Sequence, residues 1–526
     1  MSSYKKRAVV CFALMLTVML FCVLRVVKIA TDESLLQAAV NQSTRRVEVA
    51  SLRGNIHDCN GTLLTGKYFD EVTVVLPSSN ATMVLPKLLQ DDELINALER
   101  IRNGQPVIVW GKGIPKTIGC YTFYVPQRYS GGLAHVLGYI GSDGHGVSGV
   151  EKAYDGILYT ENTLGLTYTA NSLGRVLEGE PITVEDQGPD SSVTLTIDSR
   201  IQSITEQAMS ETKAGAALVV EAKSGKIKAA VSRPDYDPYD IASALTAENS
   251  PLINRVAYSY NVGSVFKPCV AAAALENGMG DYRYTCTGSI NVGDLTFKCN
   301  RSSGHGELGL KEALAYSCNT YFYTLADHLG AENVYTTAKA LAFGQSQDCM
   351  GGLISSKGVL PELSYLQSIP AELTNLSIGQ GKLMLSPIAL SVMYCAIVNG
   401  GQYRLPYIVQ STSQKNNVLE YEPSQSIVAF SQNTADVLKD HLKNALQNGT
   451  GSTAFSENVS AGGKTGTAQT GWIDGDRKIL NGWFCGFYEG DETYVIVILK
   501  EDVRSGSTDC APIFKQITEN LQAMGF

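Results

Sequence analysis

The sequence predicts an α+β fold: an antiparallel sheet faced by helices, preceded by a mixed N-terminal module and one membrane-spanning helix. Three observations predict it. Apolar hairpins stand at both ends of the C-terminal region. Mainly helical segments lie between those hairpins. One uncharged apolar run opens the chain.

The opening run, Ala8 to Leu24, has 17 residues without a charge, and Val26, Val27 and Ile29 extend it past Arg25 and Lys28. That is the short end of a membrane span of ~17–25 residues. Lys5, Lys6 and Arg7 precede it, which favours a cytoplasmic N-terminus. A cleaved signal peptide is the competing reading, but Lys28 stands where a small residue is wanted before Ala30. A lipoprotein signal fails because Phe21 precedes Cys22 and Val10 precedes Cys11. The expected order is a cytoplasmic tail over 1–7 and a retained anchor over 8–29. An N-terminal module over 30–190 and a C-terminal domain over 191–526 follow, outside the membrane.

The mixed module contains RGNIHDCNGTLL at Arg53–Leu64, with Asn60-Gly61 at a turn tip, and GVSGVEKAYDGIL from Gly146. The loop Glu185–Ser192 marks its end. Val193–Ile197 then reads as a strand and Asp198 as a helix N-cap, with Ile201, Ile204 and Ala208 on one helical face. AALVVEAKSGKIKAAVS is a hairpin turning at Lys223-Ser224-Gly225. WFCGFYEGDETYVIVILKED is another, turning near Glu489–Glu492, and a last helix runs from Cys510 to Met524.

Composition sets limits. The 526 residues carry a net charge of −9, with 44% apolar and 18% charged side chains, which is globular. The acidic balance excludes a nucleic-acid partner, since no basic surplus neutralises phosphates. Twelve cysteines are too few for a disulfide scaffold. Cys286 and Cys299 bracket TGSINVGDLTFK, a hairpin pattern around Gly293-Asp294. They either bridge or stay free thiols.

Three short motifs carry chemistry. In Gly263-Ser264-Val265-Phe266-Lys267-Pro268, Ser264 stands near a helix N-terminus, with Lys267 one turn on along the same face. A buried lysine can be kept neutral and act as a base for a serine. Ser317-Cys318-Asn319 follows 53 residues after Ser264, and Gly462-Gly463-Lys464-Thr465-Gly466-Thr467 begins its Lys-Thr-Gly 147 residues after Ser317. Each is weak alone: Ser2/Lys5 and Ser78/Asn80 match the first two patterns by chance. In this order they resemble the S-x-x-K, S-D-N and K-T-G set of class A β-lactamases and penicillin-binding proteins, with Cys318 in place of the aspartate.

With these motifs the chain resembles the class B penicillin-binding proteins, the single-pass peptidoglycan D,D-transpeptidases. The resemblance covers nearly the whole sequence. RGNIHDCNG, GVSGVEKAYD, LTIDSRIQ, Ser377-Ile378-Gly379-Gln380-Gly381 with Ser386-Pro387, and Asn481-Gly482-Trp483-Phe484 are similar to further family segments. Cys59 stands where arginine is usual, and Val262 where proline often precedes Gly-Ser. The resemblance implies a β-lactamase/transpeptidase-like fold with a helical subdomain, in a short form without extra C-terminal domains.

By motif position it implies Ser264 as nucleophile, Lys267 as its base and Ser317 as proton relay. Asn319 would hold the peptide amide, and Lys464, Thr465, Gly466 and Thr467 the terminal carboxylate. The backbone N–H groups of Ser264 and Thr467 would form the oxyanion hole. The implied reaction cross-links stem peptides through a Ser264 acyl-enzyme, at the outer face of a bacterial cell membrane, and β-lactams would acylate the same serine. No cofactor or metal is implied. A SEDS-family glycosyltransferase is the implied partner, contacted through the anchor and the N-terminal module. A D,D-carboxypeptidase, a β-lactamase and a silent wall-synthesis scaffold are the alternatives. His305 is expected to have a loop-structural role, and Tyr258 and Tyr260 are assigned none.

Overall fold

The computed structural model describes residues 2–111, 119–129, 131–186, 188–415 and 417–526. Met1 of the expected tail and Gln187 of the expected boundary loop lie outside the described residues. The chain divides into two units. The first comprises Met1–Arg53, Lys67–Arg128 and Thr160–Pro189; the second comprises Gly54–Gly66, Tyr129–Tyr159 and Asp190–Phe526.

The first unit opens with α1 (Ser2–Thr31), a helix of 30 residues. At 1.5 Å per residue it is about 45 Å long. Among the described residues it is the one helix long and apolar enough to cross a membrane. Val9, Phe12, Met15, Met19, Phe21 and Val26 are all exposed, the surface lipid would cover. Two small sheets follow: Thr44–Arg53, Tyr159–Thr169 and Thr183–Glu185 in one, and Phe69–Val75 between Val107–Trp110 and Cys120–Pro126 in the other. Val72, Val74, Phe123, Leu164 and Leu166 share one apolar cluster.

The second unit is built on five antiparallel strands. These are β1 (Gly215–Glu221), β2 (Ile227–Arg233), β3 (Ala461–Asp474), β4 (Arg477–Glu489) and β5 (Thr493–Lys500), in the order β2-β1-β5-β4-β3. Both expected hairpins are present, β1–β2 and β4–β5. Side chains alternate across a strand, so each apolar run feeds two cores. Leu218, Val220, Val495, Val497 and Leu499 join one cluster with Phe266, Val270, Ile388 and Tyr394. Ala217, Val219, Ile496 and Ile498 join another with Ile201, Ile204, Phe514 and Ile517. The second cluster is supplied by α2 (Ser199–Ala208) and the expected C-terminal helix.

The helices that position the site are α3 (Lys267–Glu276), α4 (Asn319–Ala340), α5 (Pro387–Val398) and α6 (Gln432–Asn448); α7 (Ala511–Ala523) closes the chain. α5 is apolar on every side and buried from Pro387 to Ile397. The first eight residues of α3, Lys267 to Ala274, are buried too. A lysine at the start of such a helix therefore begins its life out of water.

A smaller sheet pairs Asn55–His57 in parallel with Ser191–Leu195, which pairs in turn with Val409–Gln414. The turn after Asn55–His57 is held by Asp58. Its carboxylate accepts from the N–H groups of Asn60 at 2.9 Å, Thr62 at 2.8 Å and Ser199 at 3.1 Å. Asp198 caps α2 as expected, accepting from Arg200 N–H, and also accepts from the Asn60 side chain at 3.0 Å. Gly61 supplies the left-handed turn residue. Asp58→Ala leaves three N–H groups without their acceptor. We expect it to lower unfolding stability by about 2–4 kcal/mol in a denaturant titration; a change below about 0.5 kcal/mol would contradict this role.

Candidate active site

Ser264 lies in a 3-10 turn, Gly263–Phe266, that runs directly into α3. Two close backbone approaches fix this turn. Gly263 has φ +63°, and a Cβ there would stand 2.7 Å from the Thr467 carbonyl oxygen. On its other side Gly263 N–H donates to the Gly379 carbonyl at 2.8 Å. A Cβ on Gly379 would stand 2.0 Å from the Gly263 oxygen. Gly466 is equally constrained, its Cβ position lying 2.9 Å from the Val262 oxygen. The Ser264 turn is thus wedged between the Gly379 loop and β3, the strand at the open edge of the sheet. Tyr394 on α5 donates to the Val265 carbonyl at 3.3 Å, and Trp483 Nε1 donates to the Asn261 carbonyl at 2.9 Å.

Lys267 begins α3 and is fully buried. Its Nζ donates to the Ser317 carbonyl at 2.8 Å, to Ser317 Oγ at 3.1 Å and to Asn319 Oδ1 at 2.8 Å. The Phe322 ring lies beneath it, 5.3 Å to the centroid. Burial pushes the Lys267 ammonium down to about 7, against a smaller upward pull from Cys318 and Cys299. Ser317 is buried and holds a left-handed backbone, φ +55°, between the helix Leu310–Ala315 and α4. Such a conformation costs a non-glycine residue on the order of 1–3 kcal/mol and clusters at functional sites.

Lys464 sits on β3, also buried. Its Nζ donates to the Thr465 carbonyl at 3.1 Å and to Thr450 Oγ1 at 3.3 Å; the Thr450 and Thr465 hydroxyls are 2.7 Å apart. Burial first, and the Lys267 charge second, hold Lys464 well below its ordinary value. Thr467 Oγ1 accepts from Gly506 N–H at 3.1 Å, and Gln380 Nε2 reaches the Thr467 carbonyl at 3.4 Å.

The structure therefore brings the three motifs to one place. Lys267 touches Ser317 and Asn319, and the Ser264 turn touches Gly466 and Thr467. Thr450 was not singled out by sequence: it stands in an ordinary turn after α6, and nothing in NGTGST marks a partner for Lys464. Tyr260 donates to Glu501 at 2.9 Å and stacks edge-on to Trp483, so it braces β4 beside the site. Cys286 and Cys299 are not joined by a disulfide. The hairpin between them forms as expected, Ser289–Val292 against Leu295–Lys298.

The family model "Penicillin binding protein transpeptidase domain" matches residues 215–519. Stage V sporulation protein D of Bacillus subtilis is 29% identical over 98% of this chain and 85% of that protein. The peptidoglycan D,D-transpeptidase MrdA of Haemophilus influenzae is 24% identical over 98% of this chain and 91% of its own. A chain in a solved peptidoglycan synthase complex, described as coordinating polymerization and crosslinking, superposes with a TM-score of 0.70 at 22% identity, covering 97% of this chain and 98% of that one. That likeness shows the fold.

The wedge at Gly263 generates a direct expectation. Gly263→Ala adds a Cβ against Thr467 in a left-handed conformation. We expect a loss of about 1–3 kcal/mol, read as a lower melting temperature. An unchanged melting temperature would contradict the close approach.

Proposed function

Because the chain belongs to the penicillin-binding protein transpeptidase family, we propose that it cross-links peptidoglycan stem peptides as a serine-type D,D-transpeptidase with Ser264 as nucleophile. One observation carries the assignment: Lys267, one turn after Ser264, is buried and held by Ser317 and Asn319.

Those contacts support the following steps. Neutral Lys267 takes the Ser264 hydroxyl proton as Oγ attacks the carbonyl of the penultimate D-alanine. The backbone N–H groups of Ser264 and Thr467 receive the oxyanion; one such donor is typically worth ~10²–10³ in rate. Ser317, hydrogen-bonded to Lys267, passes a proton to the departing D-alanine nitrogen. Asn319 holds the donor amide. Lys464, Thr465 and Thr467 hold the terminal carboxylate, with Gly466 letting the strand approach. Thr450 keeps Lys464 Nζ and the Thr465 hydroxyl aligned. An amine from a neighbouring strand then attacks the acyl-enzyme and frees Ser264. A β-lactam follows the first step only, its ring opening onto Ser264.

In this reading 8–29 anchors the chain in a bacterial membrane with 1–7 inside. The expected module over 30–190, of which Gly54–Gly66 and Tyr129–Tyr159 pack in the second unit, and the transpeptidase domain over 191–526 lie outside. A SEDS-family glycosyltransferase supplies the glycan strands. The synthase complex among the solved structures supports such a partner.

Labelling with a fluorescent penicillin tests the assignment. The wild-type chain should take up one slowly lost label, and Ser264→Ala none while melting at the same temperature. Equal labelling of Ser264→Ala would overturn the nucleophile. The label should also depend on pH with a fixed sign. Lys267 acts when neutral, so acylation should fall about tenfold per unit once pH drops below about 7. Lys267→Arg, charged at all pH values, should lose on the order of 10²–10⁴. A rate flat from pH 8 to pH 5 would remove Lys267 as the base.

A further inference from the structure

Four side chains from separate segments converge beside the site. Cys286 ends the strand Tyr284–Cys286, which pairs with Gly306–Leu308. Cys299 follows the hairpin strand Leu295–Lys298. His305 stands just before Gly306. Cys318 is the N-cap residue of α4, between Ser317 and Asn319. Their Sγ and Nδ1/Nε2 ligand atoms all lie within 4.8 Å of one another.

Three of the six separations match the edges of a metal polyhedron. Cys286 Sγ is 3.6 Å and Cys299 Sγ 3.5 Å from His305 Nδ1, and Cys299 Sγ is 3.7 Å from Cys318 Sγ. A tetrahedral zinc with Zn–S about 2.3 Å and Zn–N about 2.05 Å has S···N edges of about 3.6 Å and S···S edges of about 3.8 Å. A disulfide needs its two sulfurs about 2.05 Å apart and has no use for an imidazole turned toward both partners.

The surroundings also suit a metal. Cys286 and Cys318 are buried, and Cys299 and His305 half-buried, so water reaches the cluster from one side only. The Thr320 hydroxyl donates to Cys286 Sγ at 3.0 Å and lies 3.4 Å from Cys318 Sγ, the outer bond that orients a ligand and favours thiolate. The N-terminus of α4 adds its positive end. The His305 ring stacks on Tyr316, 6.0 Å between centroids and 3° between planes.

We propose that Cys286, Cys299, His305 and Cys318 bind one tetrahedral Zn²⁺, and that this centre holds Ser317 and Asn319 in place against Lys267. Three thiolates and one imidazole select zinc over the hard cations, which take oxygen ligands. Four protein ligands leave no open position, so the centre is structural. Binding exchanges the three thiol protons, which leave to solvent, for the metal, and no oxidation state changes. Cys318 is then a positioning residue: its metal bond fixes the strained Ser317 turn from one side while Lys267 fixes it from the other. The consequence for acylation rests on the transpeptidase reading; the centre itself does not. This departs from the sequence reading, which assigned no metal and gave His305 a loop role.

The test uses the full chain in detergent, purified without chelator. Elemental and native mass spectrometry should find one zinc per chain. Replacement by Co²⁺ should give tetrahedral d–d bands and a thiolate-to-cobalt charge-transfer band, the first shifted in His305→Ala and the second weakened in Cys299→Ser. Chelation of the wild type should slow fluorescent-penicillin acylation by about 10–100-fold with far-ultraviolet circular dichroism retained, and added Zn²⁺ should restore it. Folded wild type that takes up neither Zn²⁺ nor tetrahedral Co²⁺ would overturn the centre. So would peptide mapping that finds a Cys299–Cys318 disulfide in the native chain. Stoichiometric zinc with acylation unchanged by chelation would overturn the positioning role. Cobalt bands in a chain that no penicillin labels would leave the centre standing and sink the transpeptidase reading instead.

Discussion

A lysine buried without a carboxylate partner among its hydrogen bonds is costly to keep charged. Lys267 meets the carbonyl and hydroxyl of Ser317 and the amide oxygen of Asn319. Those groups satisfy the ammonium's donors without neutralising its charge. The apolar surroundings of α3 then favour the neutral amine, which is the form a base needs. The placement of Ser317 and Asn319, the strain at Ser317 and the packing of α3 all follow from this one burial. Moving any of them exposes the amine or leaves it without partners.

The remaining geometry is made by glycine. Gly263, Gly379 and Gly466 let three backbone segments meet where any side chain would separate them. The Ser264 turn is thereby set against the edge strand. A sheet edge is a place where an extended peptide can add itself by backbone pairing. In this chain that edge is β3, which carries Lys464, Thr465 and Thr467. Rigid support beneath, from α5 through Tyr394 and from β4 through Trp483, keeps the edge and the turn in one frame.

Much of this was legible in the sequence, for identifiable reasons. The hairpins of the sheet show because their apolar runs are continuous and their turns carry Gly, Ser, Asp or Glu. Asp198 shows because a helix N-terminus selects few residue types. Ser264, Lys267, Ser317, Asn319 and Lys464 show because their chemistry restricts both identity and order. Thr450 does not, since a threonine in a turn has many ordinary uses. The cluster of Cys286, Cys299, His305 and Cys318 does not either. Its ligands are separated by 12, 5 and 12 residues, unlike the short Cys-x₂₋₄-Cys pairs that announce zinc. Only the pairing of Tyr284–Cys286 with Gly306–Leu308 and the cap of α4 bring them together.

In the proposed reaction an acyl group carried on Ser264 is handed to an amine. The most direct measurement incubates the full chain with a glycan-linked stem peptide ending in D-Ala-D-Ala and an amine-bearing acceptor, and resolves the products by mass spectrometry. A cross-linked dimer should form with release of one D-alanine per bond, and not with Ser264→Ala. Release of D-alanine with only the shortened free acid, at any acceptor concentration, would contradict that reaction and make the protein a carboxypeptidase.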